Sequence, residues 1–176
     1  MNVDRSTNMS IVALTLRVLL AVVLGWSAVS KLTPSGRSGL GDMLGQLGIG
    51  RRAGLVGGLL IAGEATSAVL LLLPWTAVVG AGLATALMAV LTAGTVLILR
   101  RRLKVTCACF GSSSTTIAPI HAVRNGLLLL GAAVAAGLGP HVPADLVTAA
   151  VAVGVGAVLA IVVTRLDDFA FLLSPR

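Results

Sequence analysis

The chain has 176 residues, 57% hydrophobic and only 11% charged, with a mean hydropathy of +1.04. A soluble globular domain carries roughly 25% charged residues, so this composition excludes a water-soluble fold and indicates an integral, multi-pass membrane protein. Thirteen Lys and Arg against six Asp and Glu leave a net charge of +7, but aromatics are 3% and tyrosine is absent. Without base-stacking platforms, the cations read as loop charges that orient spans, and nucleic acid is not an expected partner.

The first apolar run covers about residues 9–30, long enough at about 1.5 Å per residue to cross a hydrocarbon core of roughly 30 Å. Ala28-Val29-Ser30 has the form of a signal-peptidase site. The run is long for a signal segment, however, and Arg17 interrupts it, so no cleavage is expected. From Thr33 to Arg52 the chain is glycine-rich. Leu40, Met43, Leu44 and Leu47 recur there at helical spacing, which predicts a short amphipathic helix at the interface.

Further spans are expected at about 53–73, 76–99, 119–138 and 144–163, within a single transmembrane domain over 1–176. Pro74-Trp75 makes an uncharged turn between the second and third, with Trp75 as an interface anchor. A cysteine loop occupies about 100–118. Glycine and alanine are frequent throughout and allow close helix approach. The fold class is thus all-α, a transmembrane bundle of four core spans plus a fifth. Cations gather after span one (Lys31, Arg37, Arg51, Arg52) and after span three (Arg100, Arg101, Arg102, Lys104). The positive-inside rule then places the cysteine loop on the cytoplasmic face.

That loop holds both cysteines, Cys107 and Cys109, separated by Ala108. A disulfide across one residue closes a tiny, strained ring, and strain raises the reduction potential, which favours thiol–disulfide exchange. Two other readings stand beside it. The thiols are idle small hydrophobes, or they form half of a metal site with His121 as third ligand. No metal is assigned, because no other Cys or His completes the set. Pro119 suits the first turn of span four. Neighbouring cations and a helix N-terminus favour a thiolate, and His121 and Arg124, three apart, share a face of that helix. Asn125 lies deeper and suits an interhelical hydrogen bond.

Glu64 lies twelve residues beyond Arg52, roughly 18 Å into its span, where a carboxylate is costly and marks a functional position. Arg17 lies thirteen residues before Ser30, at a similar reckoned depth. The two are expected to pair across spans one and two, either as a register-fixing ion pair or as a proton or quinone contact. Lys31 ends span one as a snorkelling anchor or a neighbour of the thiols.

In combination these residues resemble the MauE family, membrane proteins associated with methylamine utilisation, within the DoxX-like group. The matching elements are Gly25 to Ser30 leading into Lys31-Leu32, Glu64 before a leucine-rich run, the basic linker into Cys107-x-Cys109-Phe110-Gly111, and Arg124-Asn125. They cover about Arg17 to Gly137 and not the fifth span. Ala108 departs from the glycine most members carry, which restricts the backbone there. The resemblance implies a polytopic bundle with a role in thiol redox or disulfide maturation beside a thioredoxin-like partner. The resulting expectation is a membrane thiol–disulfide relay. Cys107 and Cys109 exchange with such a partner, His121, Arg124, Asn125 and Lys31 support them, and a quinone or another membrane redox protein accepts the electrons. The alternative is a non-catalytic membrane assembly factor. A transporter built on Arg17 and Glu64 is the third reading.

Overall fold

The computed structural model describes residues 5–103 and 119–165, and every regular element among them is helical. Helix α1 is Arg5–Leu32, α2 Pro34–Gln46, α3 Ala53–Leu72, α4 Ala77–Arg100, α5 Pro119–Leu138 and α6 Leu146–Thr164. Short 3-10 turns, Gly50–Arg52 and Pro74–Thr76, lead into α3 and α4. All but α2 are long and apolar enough to span a bilayer, which makes five candidate spans.

Helices α1, α3, α4 and α5 close a four-helix ring, each packed on the next and α5 returning to α1. Helix α6 packs on α1 from outside that ring. The apolar core is built from Leu20, Leu24, Leu71 and Leu128 with small residues such as Ala81, Ala84 and Ala132. In lipid there is little hydrophobic drive between helices, so close backbone approach carries the association. A Cβ on Gly80 would meet Leu71 N at 2.7 Å, and one on Gly156 would meet Thr15 O at 2.7 Å. At these two positions only hydrogen fits between helices.

The turns follow local chemistry. Thr33 caps α2, its Oγ1 accepting from Gly36 N at 3.1 Å, and Pro34 occupies the first helical turn. Gly36 lies against Ser30 O and Lys31 Cα, so α2 folds back tightly at the end of α1. Leu40 and Leu44 then face Ala53, Val56, Leu60 and Ile61. This is the amphipathic helix that the leucine spacing predicts, docked against α3. Helix α5 stops where Gly139 takes a left-handed φ of 75° before Pro140. Asp145 caps α6, accepting from Thr148 N at 2.7 Å, and that bond holds its carboxyl below the ordinary range.

Two glycines on α4 separate close packing from mere composition. Gly80→Ala should lower stability by about 1–3 kcal/mol, because backbone atoms of α3 must move. Gly82 faces open space, so Gly82→Ala should be neutral or stabilising by up to about 1 kcal/mol. Thermal unfolding of the detergent-solubilised protein checks both. Equal effects would remove the case for close α3–α4 contact.

Candidate functional site

Charged side chains in an apolar bundle must find partners within it, because an unpaired charge there is prohibitively desolvated. Glu64 on α3 is fully buried, and its partner is Lys31 at the end of α1. Lys31 Nζ donates to Oε1 at 2.7 Å and to Oε2 at 2.9 Å. It also donates to Ser27 Oγ at 2.5 Å, and Ser27 Oγ in turn donates to Glu64 Oε1 at 3.1 Å. Both Glu64 oxygens are thus engaged by a closed three-residue network. Lys31 is 1% exposed. It neither snorkels to the interface nor remains as a loop charge.

This corrects the expected Arg17–Glu64 pair. The depth reckoning assumed that α1 ends level with the start of α3. Instead α2 and the Gly50–Arg52 turn let α3 begin beyond the end of α1, beside α2. Gly25 lies across from Ala68, its would-be Cβ 3.8 Å from Ala68 Cβ. An antiparallel register through that point sets Glu64 opposite Val29. Arg17, twelve residues earlier, is about 18 Å away along α1.

Arg17 serves the opposite end of α3. Its Nε donates to Leu71 O at 3.0 Å, and the side chain is 2% exposed. Leu71 O belongs to the last turn of α3, where carbonyls have no amide four residues on. Thr76 Oγ1 satisfies the neighbouring Leu70 O at 2.9 Å. The guanidinium therefore caps the negative end of the α3 dipole.

On α5 the face formed by His121, Arg124, Asn125 and Leu128 is buried. Arg124 is 1% exposed and does not reach out to the interface. Asn125 Nδ2 donates to Thr95 Oγ1 at 3.3 Å, linking α5 to α4, and Thr95 Oγ1 donates onward to Leu91 O at 2.8 Å. His121 also lines a cavity of about 270 Å³ with Thr95, with Met43 of α2 and with Leu47 just past its end. Cys107 and Cys109 lie outside the described residues, as does Lys104, so the thiol and metal readings rest here on His121 and Arg124 alone.

Sequence reasoning missed Ser27 and Thr95. Each is a small hydroxyl within an apolar run, a pattern more often met as a residue bonding its own helix backbone. The available signal for Ser27 was its spacing, one helical turn before Lys31.

The profile of the family described as "Methylamine utilisation protein MauE" matches residues 9–138, from α1 through the end of α5. No curated protein and no solved structure gives a significant match.

Glu64→Gln or Lys31→Met alone should each lower stability by about 3–5 kcal/mol, since each leaves one buried charge unpaired. The double variant Lys31→Met/Glu64→Leu should recover most of that loss. Arg17→Met combined with Glu64→Gln should instead be additive within about 0.5 kcal/mol, as distant sites are. A double-mutant cycle read by thermal unfolding checks all three. Strong coupling between Arg17 and Glu64 would overturn the register.

Proposed function

This chain belongs to the MauE family, and from that premise we propose that it is a membrane assembly factor that supports maturation of a partner protein. One observation carries this reading: the match covers residues 9–138, so it takes in every buried polar group of the four-helix ring. The Lys31–Glu64–Ser27 network gives that ring a fixed register, which a scaffold requires. The family description adds methylamine utilisation as a setting in which such a partner would be made.

A second reading is favoured by α5. His121 and Arg124 share one buried face in the first turns after the Cys107–Cys109 loop. A guanidinium and an imidazole at that place favour a thiolate. In the relay, one thiolate attacks a disulfide sulfur of a thioredoxin-like partner and releases the partner's other sulfur as thiolate. The remaining cysteine then attacks the mixed disulfide. This chain is left with a Cys107–Cys109 disulfide and the partner with a dithiol, so two electrons have moved to the partner. A quinone is the electron acceptor considered for the reverse direction.

The loop cations support a cytoplasmic placement of the cysteine loop. Lys31 drops out of that count because Glu64 neutralises it. Among the described residues Arg37, Arg51 and Arg52 remain, together with Arg100, Arg101 and Arg102, all at one end of the bundle by helix order.

The Cys107→Ser/Cys109→Ser variant separates the two roles. In a host lacking the native gene it should restore maturation to the wild-type level if the chain is an assembly factor, whereas Lys31→Met should not. Loss of maturation in the serine variant, with normal membrane levels of the protein, would transfer the conclusion to the relay. Trapping with permeant and impermeant maleimides, with and without prior reduction, supplies the independent check. Thiols labelled only by the permeant reagent and without reduction are expected for the assembly factor. A fraction that requires reduction is expected for the relay.

A further inference from the structure

The basic end of the bundle carries a second feature, beside the polar network and distinct from it. A groove of about 510 Å³ runs between α2 and the outer face of α3, from Ala53 to Ala65. Its length along α3 is twelve residues, or about 18 Å at 1.5 Å per residue. One leaflet of a bilayer holds roughly 15 Å of hydrocarbon, half of a 30 Å core. The groove therefore has the length of a single acyl chain.

Its walls are apolar, from Leu40 and Gly41 of α2 and from Gly54, Gly58 and Ala62 of α3. A Cβ on Gly54 or Gly58 would meet nothing within 4 Å, so these glycines leave volume empty and do not serve packing within the chain. Arg37 of α2 lies on the lining and is the only charged residue there among the described residues. Its side chain is exposed. Arg51 and Arg52 immediately precede Ala53, where the groove begins, and they too are exposed. Glu64 is not part of the lining; it is buried and paired with Lys31.

We propose that this groove binds one anionic phospholipid, with an acyl chain along α3 and the phosphate on Arg37. The argument is charge complementarity at one end and chain length at the other. A zwitterionic lipid offers the same tail but no net charge to the guanidinium. A transmembrane helix of a partner would bury the glycine face, yet it would leave Arg37 opposite an apolar surface.

The test uses the full chain in vesicles of phosphatidylcholine containing a minor fraction of spin-labelled phosphatidylglycerol or spin-labelled phosphatidylcholine. The wild type should immobilise phosphatidylglycerol in preference to phosphatidylcholine. Arg37→Gln should reduce that preference about fivefold, the contribution of one cation near a charged surface. Gly58→Leu should abolish immobilisation of both lipids at this site, and the open space over Gly58 lets the variant fold. Equal immobilisation of the two lipids by the wild type would overturn the proposal. So would unchanged selectivity in Gly58→Leu. A shift of the wild type from dimer to monomer in Gly58→Leu, with lipid selectivity unaltered, would assign the groove to a second copy of the chain.

Discussion

The Lys31–Glu64 ion pair is the constraint on which the bundle depends. Two charges that would each be expensive in hydrocarbon are held at 2.7 Å, with Ser27 closing the network. The desolvation penalty of such a pair is large, and an apolar replacement of similar volume would stabilise as well or better. Its value therefore lies in specificity. A slide of α1 along α3 by one turn would separate these charges. Once that register is fixed, Gly36 can tuck against Ser30, and α2 comes to rest beside the first turns of α3.

The other polar contacts follow a similar rule, each resolving one helix pair. Arg17 meets the carbonyl end of α3 from α1, so that pair is tied at both ends. Asn125 meets Thr95 between α5 and α4. Thr15 donates to Ala152 O at 3.3 Å and locates α6 on α1 near Gly156. Directional bonds choose the register, and small residues then allow the close approach from which dispersion attraction is gained. Neither suffices alone. Packing of smooth apolar faces is nearly degenerate in lipid, and isolated hydrogen bonds there are worth little over the partners available in the separated state.

This division explains what could be read from the sequence. The spans were visible because a 20-residue apolar run has almost no other solution in a chain this poor in charge. The amphipathic α2 was visible from Leu40, Met43, Leu44 and Leu47. The partner of Glu64 was not. Counting residues from loop cations sets Arg17 and Glu64 at similar depth, and nothing local to either shows that α2 displaces the start of α3. Lys31 looked like a span-end anchor because lysine at that position usually reaches outward. Here it turns inward, since a buried carboxylate lies within its reach and Ser27 offers a further acceptor. The Cys107–Cys109 loop stood out by chemistry alone, and of its predicted setting the described residues contribute the His121–Arg124 face.

The arrangement is also asymmetric across the membrane. At the α3–α4 turn the chain has Pro74, an exposed Trp75 and a threonine, and the buried guanidinium there caps α3 through its Nε. At the other end lie the Lys31–Glu64–Ser27 network, the buried His121–Arg124–Asn125 face and the arginines of three segments. Helix α2 stands between these features. Gly41 faces the groove over Gly54 and Gly58, while Met43 and Leu47 face the cavity that His121 lines. A helix so placed cannot shift toward one side without opening the other. It is held by Leu40 and Leu44 against α3 and by the Thr33 cap to α1. The ion-paired end of α1 and the start of α2 thus share one boundary, at Lys31-Leu32-Thr33. Any partner that engages the basic end meets α2, a helix outside the ring whose register the ion pair fixes.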